Sequence, residues 1–317
     1  MDRQILLNIR ELFRKEKAKT TILLFKRCLV VAVVALFSFC TIVKLLTYDL
    51  TIRDSGSLQR RLPKAIIIGA RKCGTRALLE FLTLHPQIEG ARFETHYFDN
   101  FSNYNLGIEW YRQQLPLTTP DQITIEKTPG YFVRDLVPYR MYHFNPHLKL
   151  ILILRDPVIR TISDYTQVHV SRMARGIPDL PLSEAAFLGN GKLNFRYKPI
   201  RNSLYHRHLV NWLSYFSPKS IHIVDGELFI IDPLSELRRL ETFLGLPHAI
   251  SDEQLYYNAT KGFYCYRKSS MNPGTCLGES KGRAHVKVSN LVRSKLRKLY
   301  KPHNQKLYQI IGQRLSW

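Results

Sequence analysis

Between Gly69 and Gly74 the chain reads G-A-R-K-C-G, and Thr75 and Arg76 follow directly. Two glycines, a hydroxyl and the cations Arg71, Lys72 and Arg76 in so short a stretch are the chemistry of an anion cradle. Backbone amides at a tight turn point at whatever lies above the next helix, and the helix dipole adds partial positive charge there. A phosphate or a sulfate suits such a place. The glycine separation is that of a P-loop, G-x-x-x-x-G-K-[ST], but Thr75 follows Gly74 with no lysine between them, so ordinary ATP hydrolysis is disfavoured. The plain alternative is a strand-turn-helix with exposed basic residues.

Three further places carry side chains suited to chemistry. In FETHYFDN, Glu94, His96 and Asp99 lie among aromatic residues. They form either a satisfied surface pair or a general base, and partial burial against the rings would raise the carboxylate's pKa toward the useful range. In ITIEKTPGYF, Lys127 ends a short apolar run, where it either faces solvent or joins Lys72 over a leaving group. In LKLILILRDP, Arg155 ends a longer run, at a position that would hold a second phosphate bidentately, with Ser163 roughly two helical turns further on.

The elements that must position these groups follow from the same pattern. Ala65–Ile68 is continuously apolar, as in a parallel strand covered on both faces, and Leu78, Leu79, Leu82 and Leu84 recur at helical spacing. Ile123–Ile125, Leu148–Leu154 and Ile221–Val224 repeat the strand signal. The stretch DPLSELRRLETFLGL predicts a helix with Asp232 as N-cap, Pro233 at the first position and Gly245 past its end, and Ser289 to Gly312 predicts another. Ligands of such α/β sheets bind at the carboxyl ends of the strands. The fold class is therefore α/β, a parallel central sheet flanked by helices.

The balance of 47 Lys and Arg against 25 Asp and Glu, a net +22, calls for an acidic partner: nucleic acid, anionic membrane, or a sulfated or phosphorylated polymer. Topology narrows the choice. Cys28–Val43 carries no charge and is flanked by Lys26, Arg27 and Lys44, so residues 28–46 read as one transmembrane signal-anchor, with a cleaved signal peptide as the alternative. The positive-inside rule then leaves 1–27 cytosolic, 47–62 as a luminal stem and 63–317 as a luminal domain. A short span suits a Golgi membrane. A luminal position also disfavours nucleic acid. With Cys28 and Cys40 in the span and Cys73 in the cradle, Cys265 and Cys276 remain as a disulfide pair for an oxidising lumen. Asn100 and Asn258 each begin a glycosylation sequon. No metal-ligand spacing is present.

Taken in order, IIIGARKCGTRALLEFL, FETHYFD, IEKTPGYF, LILRDP with SDYTQV, IHIVDGE, GFYC and SKGRAH resemble the heparan sulfate glucosamine 3-O-sulfotransferases over residues 64–317. The resemblance implies a sulfotransferase fold with a P-loop-like phosphosulfate turn, a type II Golgi anchor, and heparan sulfate as the partner. It implies transfer of a sulfuryl group from 3'-phosphoadenosine 5'-phosphosulfate (PAPS) to a glucosamine 3-hydroxyl, with no metal required. Lys72, Cys73, Gly74, Thr75 and Arg76 would hold the 5'-phosphosulfate, and Arg155 and Ser163 the 3'-phosphate. Tyr264 and the turn Lys281, Gly282, Arg283, Ala284 and His285 would close over the nucleotide. Glu94 would be the general base, oriented by His96 and Asp99, with Lys72 and Lys127 stabilising the leaving oxygen. Arg71, Arg76, Lys127, Gln167 and Arg283 would meet the polysaccharide. N-, 2-O- or 6-O-sulfation, or a silent heparan-binding protein, are the alternatives.

The chain departs from the family pattern at two positions. The usual K-G-G-T is Lys72-Cys73-Gly74-Thr75 here, and Gly130 stands where alanine is usual. If the first of those glycines needs a positive φ, cysteine there costs about 1 kcal/mol or more; otherwise the position is permissive. A thiol beside cations at a helix N-terminus would also have a lowered pKa and be open to oxidation.

Overall fold

The apolar run after Lys64 forms the middle strand of a five-stranded parallel sheet. In chain order, the strands of the folded unit are β1 (Gln59–Arg60), β2 (Ala65–Gly69), β3 (Ile88–Gly90), β4 (Leu117–Thr118), β5 (Ile123–Lys127), β6 (Lys149–Leu154), β7 (Ile221–Asp225), β8 (Leu255–Asn258) and β9 (Phe263–Tyr266). The sheet order is β3-β5-β2-β6-β7, with every neighbouring pair parallel. All residues of β2 and β5 are buried; β2 is accordingly free of polar residues, whereas β5 interleaves Thr124 and Glu126 with its isoleucines. Pairing of β1 with β4 starts at Gln59, inside the segment read from sequence as stem.

The computed structural model describes residues 35–36, 38–43, 58–268, 273–278 and 284–317. The chain divides into two units, Met1–Leu58 and Gln59–Trp317. In the first, residues 35–36 and 38–43 are helical, and the rest of the expected span and the whole expected cytosolic segment lie outside the described residues. Among the described residues no helix is long and apolar enough to cross a membrane.

The helices that build the site are α1 (Thr75–Leu82), α2 (Pro157–Met173), α3 (Tyr205–Leu213), α4 (Gly226–Ile231), α5 (Pro233–Leu244) and α6 (Asn290–Ile311). Their ends follow local chemistry. Asp232 caps α5 through Ser235 N at 3.1 Å, Pro233 opens it and Gly245 closes it at φ 78°. Ser289 caps α6, and Gly312 ends it at φ 69°. The antiparallel pair β8–β9 carries Cys265, which is bonded to Cys276. Asn100 is an exposed helix cap whose Oδ1 accepts from Ser102 N and Asn103 N, and Asn258 lies at the end of β8.

One buried ion network fixes α2 against the turn after β2. Arg160 is fully buried and donates from NH1 to Asp164 Oδ2 at 3.0 Å, from Nε to Ser203 Oγ at 2.6 Å and from NH1 to the Arg71 carbonyl at 3.4 Å. The other Asp164 oxygen accepts from Arg71 Nε at 3.0 Å. Burial alone would raise the Asp164 carboxyl, but Arg160 and Arg71 outweigh it and hold it below the usual carboxylate range. Asp164→Asn should therefore cost about 3–5 kcal/mol in urea denaturation, because it leaves Arg160 buried without its counter-charge. The native carboxyl is depressed, so this stabilisation is complete above the ordinary aspartate pKa of about 3.9 and is lost as pH falls below it. The stability gap between wild type and variant is expected to close in acid; a gap independent of pH would contradict the pairing.

Candidate active site

The turn between β2 and α1 reverses through two left-handed residues, Lys72 at φ 74° and Gly74 at φ 100°. Cys73, between them, is not left-handed, so the departure from the family pattern carries no such strain. Its side chain is turned inward, with Sγ 3.7 Å from Tyr205 Oη. Burial pushes the thiol up despite Arg160 and Arg155, which corrects the expectation of a lowered pKa. Desolvation here exceeds the pull of the cations. Gly74 is the N-cap of α1, with no side-chain cap and no acidic residue in the first turn. The first-turn amides therefore lack a side-chain acceptor, the condition under which a helix N-terminus holds an anion. Gly74, Thr75, Arg76 and Ala77 line a cleft of about 710 Å³ together with Arg71 and Lys72.

On the β3–β5 side of the cleft stand Glu94, His96 and Lys127. Lys127, at the end of β5, is buried and donates to Glu94 Oε1. The second oxygen, Glu94 Oε2, lies 3.5 Å from His96 Nε2, and His96 Nδ1 donates to Asp99 at 3.0 Å. His96 reaches both through a left-handed backbone, φ 48°. The aromatic residues nearby take no part. Tyr97 stacks on Tyr111 at 4.5 Å and Phe98 packs edge-on to Tyr131, both turned into the core. Glu94 thus sits among Lys127 and His96, at 39% side-chain exposure, and not in the apolar setting expected from sequence. The carboxylate held among hydroxyls is Glu126, which accepts from Tyr111 and Thr95 at 2.9 and 3.1 Å and from Thr128. Gly130 leaves room here, since a Cβ would come within 3.0 Å of Asp99 Oδ2.

On the β6–β7 side, Arg155 pairs bidentately with Glu227, Nε to Oε1 at 3.1 Å and NH2 to Oε2 at 3.2 Å. Ser163 lines the cleft from α2, and Gln167, one helical turn on, accepts from Lys72 Nζ at 3.0 Å. His285 lines it as well, its pKa lowered by burial and by Arg155 and Lys72. Arg76 pairs with Glu80 and donates to the Arg92 carbonyl at 3.1 Å. Tyr264 packs on Tyr257; its neighbour Phe263, with Lys261, faces the cleft. Ala284 is exposed and absent from the lining, while Lys281, Gly282 and Arg283 lie outside the described residues. Sequence reasoning missed Glu227, Lys261, Phe263 and Ile230. Strand alternation would have set Phe263 and Tyr264 on opposite faces, but nothing local singled out Glu227.

Residues 62–316 match the sulfotransferase domain family. The chain is 49% identical over 261 residues to human heparan sulfate glucosamine 3-O-sulfotransferase 5, covering 82% of this chain and 75% of that protein. It is 45% identical over 267 residues to the mouse enzyme 6, covering 83% and 76% respectively. Among solved structures, a sulfotransferase from Alicyclobacillus acidocaldarius superposes with a TM-score of 0.60 at 20% identity, covering 81% of this chain and 98% of that one, a likeness of fold. With cleft, fold and sequence identity in agreement, this chain belongs to the heparan sulfate glucosamine 3-O-sulfotransferase family.

Proposed function

We propose that the chain transfers a sulfuryl group from PAPS to the 3-hydroxyl of glucosamine residues in heparan sulfate. The observation that carries this is the Glu94–Lys127 pair, with its His96–Asp99 support, facing the same cleft as the uncapped N-terminus of α1. The donor, when bound, supplies an activated sulfuryl group on a phosphate leaving group. The residues present fit it: the α1 amides with Lys72, Thr75 and Arg76 suit its phosphosulfate end, and Arg155 and Ser163 suit the 3'-phosphate. Glu94 takes the proton of the acceptor hydroxyl. Lys127 holds one oxygen of that base, and His96, itself held by Asp99, faces the other. Lys72 supplies positive charge where charge develops on the leaving oxygen. Arg71, Arg76 and Gln167 present their remaining donors to the acidic polymer, joined by Arg283.

The anchor belongs to the same reading. The uncharged run Cys28–Val43, flanked by Lys26, Arg27 and Lys44, supports a type II orientation in a Golgi membrane with residues after 46 in the lumen. The Cys265–Cys276 bond and the glycosylation sequons at Asn100 and Asn258 suit that compartment.

Glu94→Gln should lower turnover by about 10²–10⁴-fold while the affinity for adenosine 3',5'-bisphosphate stays within a few-fold, with wild-type product yielding 3-O-sulfated glucosamine on digestion. Other sulfated positions would move the assignment to another regiochemistry. Binding of nucleotide and polymer without transfer would leave a silent binding protein. In sealed microsomes, external protease should trim only the segment before Lys26; digestion of the large unit without detergent would sink the proposed topology.

A further inference from the structure

Arg155 is held from two directions, and both lead to the residues that follow α6. The first route is through its guanidinium. Glu227 occupies Nε and NH2, and also accepts from Asp156 N at 3.3 Å. Glu227 stands in the first turn of α4, whose start is fixed by Asp225 Oδ1 accepting from Glu227 N and Leu228 N at 3.0 and 3.3 Å. Asp225 is 5% exposed and its remaining bonds come from Ser316: the amide donates to Oδ2 at 2.6 Å and the hydroxyl to Oδ1 at 2.9 Å. The second route is through the backbone. Tyr205 Oη donates to the Arg155 carbonyl at 2.9 Å, and the Trp317 ring lies against Tyr205 with centroids 6.0 Å apart. Tyr308 also packs on Trp317, its ring at 5.8 Å and its hydroxyl donating to the Trp317 carbonyl.

There is little slack in this arrangement. A Cβ added to Gly226 would meet Arg155 Cγ at 2.5 Å and the Leu154 carbonyl at 2.6 Å, so the start of α4 is pressed directly against Arg155. A shift of Asp225 therefore moves Glu227, and with it the fork that Arg155 presents to the cleft. Small displacements of an oriented donor matter, because a bidentate contact with an oxyanion is directional.

We propose that Ser316 and Trp317 are positioning residues for Arg155, and through it for recognition of the 3'-phosphate of the donor nucleotide. The inference rests on the donor reading above. They touch no substrate; they set where the guanidinium sits.

The test compares adenosine 3',5'-bisphosphate with adenosine 5'-monophosphate, measured by calorimetry or competition on the full chain. Ser316→Ala and Trp317→Ala are each expected to weaken the bisphosphate by about tenfold, the effect of slightly misplacing an oriented charged donor, and the monophosphate by less than about twofold. Trp317→Phe should recover most of the difference, and Glu227→Gln should reproduce the loss of selectivity even if a Trp317 variant folds poorly. Selectivity unchanged in Ser316→Ala and Trp317→Ala overturns the proposal, as does an equal loss for both nucleotides, which marks a general structural role. Wild type that fails to prefer the bisphosphate overturns the donor reading itself, and this inference with it.

Discussion

Repulsion among cations gathered at one end of the sheet is the constraint on which the rest of the structure depends. Lys127, Arg155, Arg71 and Arg76 all line one cleft, and each is paired with a carboxylate: Glu94, Glu227, Asp164, which Arg71 shares with the buried Arg160, and Glu80. Without these partners the cleft would oppose its own folding. With them, each cation is neutralised on one side and oriented by that partner. The partners differ in depth. Asp164 is nearly inaccessible at 3% and serves the fold, while Glu94 at 39% is open to solvent.

This division explains what could be read in the sequence. β2 and β6 were legible because burial leaves a nearly unbroken apolar run, and the α5 caps Asp232 and Gly245 because capping is a local exchange. The cations were legible by type. Their partners were not, since Arg71 meets Asp164 across 93 positions, Lys72 meets Gln167 across 95 and Arg155 meets Glu227 across 72. Such pairings are set by which strands lie side by side. β3 is too short to show a period.

Cys73 shows how a residue can be noticed for the wrong reason. From the sequence it is a thiol among arginines at a helix start, where proximity argues for reactivity. In the fold, the left-handed turn on either side of it directs the side chain beneath the cradle, against Tyr205, and desolvation governs. Glu94 was misjudged in the opposite sense: its aromatic neighbours in sequence turn into the core and leave it with charged ones.

The strand order β3-β5-β2-β6-β7 puts the turn after β2 at the point where the sheet runs outward in both directions. Glu94, His96 and Lys127 belong to the β3–β5 half, whereas Arg155, Glu227 and the support beneath them belong to the β6–β7 half. The two halves are also tied beneath that turn, where Trp212 Nε1 of α3 donates to the Phe132 carbonyl at 3.0 Å and Asn211 Nδ2 to the Asp135 carbonyl at 2.9 Å. Through these ties α3 spans the two groups of cleft residues, since its Tyr205 also donates to the Arg155 carbonyl, so a substitution in the loop after β5 bears on the Arg155 side as well.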